Sequence, residues 1–152
     1  MIHFTLEGLP LSMNHAYFQK GRQRILTTKG KAYKVEVKTT LAQKYPKVLS
    51  FFQPDKPYCL VFRFTLKQTV NTTAKAKTRY KRVDVSNRIK LLEDALTDAC
   101  GHDDSQHFRV LAWKEQAGPD EPEHVDVWAW SWEDEPCPFD DILGEALVRT
   151  GS

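Results

Sequence analysis

Asp84, Lys90, Asp94, Asp103 and Asp104 fall close together in the chain, and their types suggest one kind of chemistry. Carboxylates gathered without a counter-charge repel and raise one another's pKa values. A converging set of them therefore calls for a cation. Oxygen-only donors suit Mg²⁺ or Mn²⁺, hard ions that take carboxylates and keep waters for a phosphate to displace. Lys81, Arg82, Arg88 and Lys90 flank the acids. Acids within a basic field suit phosphodiester cleavage. The cations hold the backbone, and a metal lowers the pKa of water and stabilises the attacking and leaving oxygens. Lys90 is placed to steady charge developing on phosphorus. The same residues also read as ordinary surface, with Asp84 or Ser86 as a helix N-cap and Asp103-Asp104 as a solvated turn.

These residues have to be positioned by the elements around them. Ile2, Phe4 and Leu6 alternate with polar residues, the period of a half-buried strand. Gly8, Pro10 and Asn14 break it, and residues 15–26 read as a polar, basic loop with Lys20, Arg22 and Arg24. Thr27 or Thr28 caps a helix reaching about Tyr45 and ended by Pro46, with Tyr33, Val37, Leu41 and Val35 on its apolar side. A second strand puts Tyr58, Leu60, Phe62, Phe64 and Leu66 on one face and Cys59, Val61, Arg63 and Thr65 on the other. Residues 67–83 lack periodicity and form a long basic loop, of a length that is usually functional or disordered. A helix over 86–99 follows, with Ile89, Leu92, Leu96 and Ala99 as its buried stripe and Asn87, Lys90, Asp94 and Asp98 on the other side. Strands beginning near Phe108 and His124 are predicted to pair as a hairpin. Asp84 and Asp103-Asp104 flank opposite ends of the second helix, about 20 Å apart by helical rise, unless the chain doubles back.

The formal charge of +2 is a sum of opposites. Residues 1–114 hold 21 Lys+Arg against 9 Asp+Glu, a net of +12, and residues 115–152 hold 11 acids against one base, a net of −10. This asymmetry suggests a basic working face and an acidic tail. Lys75, Lys77, Arg79, Lys81 and Arg82 are the best phosphate contacts, and their binding would depend on salt. The 41% apolar content excludes a disordered chain, and no apolar run reaches the length of a membrane span. Three widely spaced cysteines offer no disulfide framework, so reduced thiols in a cytoplasmic protein are expected. His102 and His107 lack a cysteine partner at zinc-ligand spacing, which leaves surface or core roles. Trp128, Trp130 and Trp132 on one strand face fit core or a dimer interface better than base stacking. No glycine-rich phosphate loop is present, so no nucleotide cofactor is expected.

The run Lys81-Arg82-Val83-Asp84-Val85-Ser86-Asn87-Arg88-Ile89-Lys90, then Glu93-Asp94-Ala95-Leu96 and Asp103-Asp104-Ser105-Gln106, resembles the RusA family of Holliday junction resolvases. Gly8-Leu9-Pro10-Leu11-Ser12-Met13-Asn14 and Thr28-Lys29-Gly30-Lys31-Ala32-Tyr33 match its front end, and the likeness covers about residues 2–130. The resemblance implies a small homodimeric α+β endonuclease that nicks opposed strands of four-way DNA junctions with a divalent metal. It implies catalytic roles for Asp84, Lys90 and Asp104, metal ligation by Asp84, Asp94, Asp103 and Asp104, and support from Asn87. Ser86 stands where the family has a second aspartate, and a neutral hydroxyl is the weaker metal ligand.

The expected architecture is an α+β domain over 1–132, a small mixed sheet with two main helices packed on it, followed by an acidic extension over 133–152 that includes a short helix over 139–148. The expected activity is Mg²⁺-dependent (or Mn²⁺-dependent) junction resolution by a homodimer. Lys20, Arg22, Arg24, Lys75, Lys77, Arg79, Lys81, Arg82 and Arg88 would contact the DNA. Two alternatives stand beside it: a junction-binding protein whose catalysis Ser86 weakens, and a protein-interaction module built on the tail and the Trp-rich strand.

Overall fold

The structure, a computed structural model, describes residues 1–135. Its elements in chain order are β1 (Ile2–Glu7), α1 (Met13–Ala16), β2 (Tyr17–Lys20), β3 (Gln23–Leu26), α2 (Thr28–Lys44), β4 (Tyr58–Leu66), α3 (Ser86–Cys100), β5 (His107–Gln116) and β6 (His124–Ser131). The expected α+β class holds. A four-stranded mixed sheet runs β1-β6-β4-β5, and β2-β3 forms a separate hairpin.

β4 organises the sheet. Its side chains are buried on both faces, Arg63 alone being half-exposed, so it must have neighbours on both edges as well as cover above. β6 pairs with it antiparallel and β5 parallel. The predicted β5–β6 hairpin is therefore corrected: β4 lies between the two. A strand followed by a helix returns parallel to the first strand, and β4–α3–β5 is such a unit. The link from β5 to β6 then crosses the end of β4, where the Ala117 amide donates to the Leu66 carbonyl (2.8 Å).

α2 and α3 cover one face of the sheet. Val37 and Leu41 from α2 and Leu92, Ala95 and Leu96 from α3 join Phe4, Leu6, Leu60, Phe62, Phe64, Val125, Val127 and Ala129 in one core. Thr27 is the N-cap of α2, its side chain accepting from the Gly30 amide (3.1 Å), as expected. Val35 departs from expectation and is exposed. The stripe of α3 is also rotated slightly. Leu91, Leu92, Ala95, Leu96 and Cys100 are buried, while Ile89 and Ala99 pack at the margin.

Residues 15–26 are a correction as well. In place of a loop they hold α1 and the β2–β3 hairpin, paired from Tyr17↔Leu26 to Lys20↔Gln23. The two-residue turn is made possible by Gly21 at φ +61°. The hairpin is mostly exposed, so its strands carry no apolar alternation to read. The basic segment 67–83 is non-periodic as expected, held together by Asn71 N–Arg79 O and Lys81 N–Thr69 O bonds (2.8 and 2.9 Å). The acidic extension and its predicted helix lie outside the described residues from 136 onward. Among the described residues no helix is long and apolar enough to cross a membrane.

On the other sheet face Cys59, Val61 and Trp130 are buried against Trp113 and Trp128, so two of the three stripe tryptophans serve as core. Asp126, also buried, accepts from Arg63 Nε and Nη2 (3.1 and 2.8 Å) and Thr5 Oγ1 (2.7 Å), and lies 3.2 Å from His3 Nε2. Burial would raise its pKa, but the bonds from Arg63, Thr5 and His3 outweigh that and hold the carboxyl below the usual range. A depressed folded-state pKa contributes stability above the unfolded value, about 3.9, and loses it as pH falls through the folded value. Asp126→Asn is expected to lower unfolding free energy by about 2 kcal/mol at pH 7. That deficit should shrink below pH 4, as read by urea titrations at the two pH values.

Candidate active site

Two clusters form along α3. Just before its start, two residues ahead of Ser86 and next to Val85 at the N-cap position, the Asp84 carboxylate gathers local bonds. Oδ1 accepts from the Ser86 amide (3.0 Å) and hydroxyl (2.6 Å), and Oδ2 accepts from Asn87 Nδ2 (3.0 Å). The Ser86 hydroxyl bond comes first among the causes that hold Asp84 below the usual carboxylate range, with the Lys114 charge contributing. Asp84 is exposed and ionised. The expected N-cap role of Asp84 or Ser86 is corrected: Val85 holds that position without a side-chain cap, and Asp84 instead accepts local bonds from Ser86 and Asn87.

The second cluster centres on Lys90. Its ammonium lies 3.0 Å from Asp94 Oδ1, one turn along the helix, and 2.7 Å from Asp104 Oδ2. Tyr17 donates its hydroxyl to Asp94 Oδ2. An ammonium has three N–H donors, and the third finds no partner among the described residues. The Asp104 bond is the largest cause that pushes the Lys90 pKa well above its ordinary value, and Lys90 in turn holds Asp104 low. Burial, and then donation to Asp94, push the Tyr17 phenol well up.

Asp104 reaches Lys90 because the chain doubles back. Gly101 closes α3 at φ +69°, a conformation that suits glycine. Asp103 then caps a single 3₁₀ turn, Asp104–Gln106. It accepts from the Ser105 amide (2.8 Å) while Gln106 Oε1 accepts from the Asp103 amide (3.2 Å). Gln106 Nε2 donates to the Gln53 and Lys56 carbonyls (2.8 and 3.0 Å), which anchors the turn. Behind it the His102 ring stacks on Phe52 at 4.0 Å, His102 Nε2 meets His107 Nε2 at 2.8 Å, and His107 Nδ1 meets Glu93 Oε1 at 2.8 Å. Burial, with His107 nearby, drops the His102 pKa to about 4. These half-buried histidines brace the turn, between the surface and core roles foreseen for them.

Of the four expected metal ligands, then, Asp94 and Asp104 meet at Lys90, Asp84 lies just before the helix, and Asp103 Oδ1 serves the cap of the 3₁₀ turn. Among the described residues no group of three or more His, Cys, Asp or Glu side chains is arranged to hold an ion. The available donors are nevertheless carboxylate and hydroxyl oxygens, the chemistry of a hard divalent cation.

The basic residues are carried on two segments. Lys20, Arg22 and Arg24 stand exposed on the β2–β3 hairpin, with Arg24 over the Tyr17 ring at 5.6 Å. Lys77, Lys81 and Arg82 line a groove of about 530 Å³ with Asn71, Thr78 and Val83, while Lys75 and Arg79 are exposed alongside. Arg88 departs from expectation. It is half-buried, and its Nη1 donates to the Pro10 carbonyl, tying the β1–α1 link to α3. Tyr17 is the residue that sequence reasoning missed. It lies 77 positions from Asp94, and no local spacing announces it.

The fold and site thus combine a helix bearing carboxylates and a lysine with two exposed basic segments in an α+β domain. The family model described as Endodeoxyribonuclease RusA matches residues 7–124, and the chain belongs to that family of nucleases. A search of curated proteins finds no match. Because the Lys90 ammonium accounts for the low pKa of Asp104, Lys90→Met is expected to raise it toward about 3.9. A pH titration of the Asp104 carboxyl carbon by NMR reads the change.

Proposed function

We propose that the protein resolves four-way DNA junctions by metal-dependent nicking of opposed strands, with Asp84, Lys90 and Asp104 as catalytic residues. The observation that carries this is the Lys90 ammonium, fixed by two carboxylates with one N–H left for a phosphate oxygen, beside two basic segments. A lysine held protonated well above neutral pH does not take a proton from water. It supplies positive charge to the phosphate and a proton to the leaving oxygen. Asp84 and Asp104 would hold Mg²⁺ or Mn²⁺, which when bound activates water and offsets charge at phosphorus, while Asp94 is taken at both oxygens by Lys90 and Tyr17. Lys20, Arg22, Arg24, Lys75, Lys77, Arg79, Lys81 and Arg82 would hold the backbone, with affinity that falls as salt rises.

Synthetic four-way junctions with Mg²⁺ test this. Paired symmetric nicks are expected. Asp104→Asn should lower the rate by about 100-fold or more and leave junction binding in place. No symmetric nicking by the wild type, or full activity in Asp104→Asn, would sink the reading. The bond from the Ser86 hydroxyl to Asp84 supports a second reading, junction binding with weakened catalysis, since Ser86 adds no charge where the family has a carboxylate. That reading expects tight, salt-sensitive binding with little cutting, and a gain of cutting in Ser86→Asp.

A homodimer suits a near-symmetric substrate, and β5 offers a surface for one. It is an outer strand with Phe108, Val110 and Leu111 exposed. Run antiparallel against a second copy about Ala112, it sets Arg109 opposite the partner's Glu115 and Leu111 opposite the partner's Trp113. Glu115→Arg is expected to weaken the dimer by about tenfold or more. Adding Arg109→Glu should restore it, as sedimentation would show. The domain is proposed to span 1–132, with 133–152 as an acidic extension.

A further inference from the structure

The Tyr17 hydroxyl is bonded to the Asp94 oxygen that Lys90 does not use. We propose that Tyr17 is a positioning residue for Lys90, acting through Asp94, a role that rests on the nuclease reading above. Asp94 has two oxygens, and the structure gives each one partner: Oδ1 to the Lys90 ammonium and Oδ2 to the phenol. With both taken, the carboxylate has one heading. The ammonium between it and Asp104 is then aimed, its third N–H without a partner among the described residues. Without the phenol, Asp94 is free to turn about its side-chain bonds, and the lysine loses one of its two fixed anchors.

Tyr17 can serve this way because its own backbone is clamped. It follows the fully buried Ala16, whose carbonyl accepts from the Thr27 amide (2.8 Å). Thr27 Oγ1 donates to the His15 carbonyl (2.8 Å). Gly30 of α2 packs under the same Ala16 carbonyl so closely that a Cβ there would lie 2.7 Å from it. The phenol is thus held from α1 and the start of α2, against a carboxylate on α3.

Tyr17 is also the first residue of β2, so the hairpin that carries Lys20, Arg22 and Arg24 begins at the same clamp. A backbone gripped by those cations and the phosphate facing Lys90 therefore share one rigid reference. The expected consequence is a defect in turnover rather than in binding.

Tyr17→Phe keeps the ring and deletes only the donor. Its junction-nicking kcat is expected to fall about tenfold, with the junction Kd measured without metal unchanged within about twofold. In protein labelled with ¹⁵N-lysine, the Lys90 ammonium signal is expected to be sharp and slow to exchange in the wild type and broadened in the variant. An unchanged Lys90 signal, or a kcat that stays at the wild-type level in a cutting enzyme, overturns the proposal. So does a loss that appears wholly in Kd. Should the wild type fail to cut junctions, the nuclease reading falls, and the NMR comparison still decides whether Tyr17 aims Lys90.

Discussion

β4 has apolar side chains on both faces and strands on both edges, and the rest of the fold follows from burying it. Burial of a strand this apolar stabilises by roughly 25 cal/mol per Å² of apolar surface removed from water. It requires β5 on one edge, β6 on the other, helices over one face and the tryptophans over the other. The parallel β4–β5 pairing then demands a crossover, and α3 is that crossover. The site residues are carried on and around it, so the chemistry of the molecule is hung on the one segment the core cannot do without.

A crossover helix creates a difficulty for any site that needs residues from both its ends. The chain meets it with a left-handed glycine at Gly101 and a capped 3₁₀ turn braced by Gln106 and the His102–His107–Glu93 row. The turn brings Asp104 back to Lys90. In that setting Asp94 and Asp104 share one ammonium, which relieves the repulsion that two nearby carboxylates would otherwise suffer. Asp84 finds its relief separately in Ser86, Asn87 and the nearby Lys114 charge. The +12 body therefore has some of its basic charge committed internally, while the hairpin and groove cations remain on the surface to meet a polyanion.

Much of this was legible in sequence. β1, α2, β4 and α3 announced themselves by period, and Thr27 by its capping chemistry. The motif around Asp84, Lys90 and Asp104 pointed to a nuclease family, which the match over residues 7–124 bears out. The β2–β3 hairpin was hidden because most of its side chains are exposed, so no alternation marked it. The β5–β6 pairing misled because each strand alternates correctly, yet which strand lies beside which depends on the two-sided burial of a third.

The sequence by itself determined which groups are available, and it placed Lys90 on a helix with Asp84 just before it and Asp104 just beyond it. Only the tertiary structure decided how they are used. It set Asp104 on Lys90, gave Asp103 Oδ1 to a cap and Arg88 Nη1 to a carbonyl, and brought Tyr17 to Asp94 from 77 residues away. The reason is physical. Periodicity and capping are local and can be read within a turn or two of chain. A hydrogen bond between distant residues is set by how whole elements pack, and no local pattern encodes that.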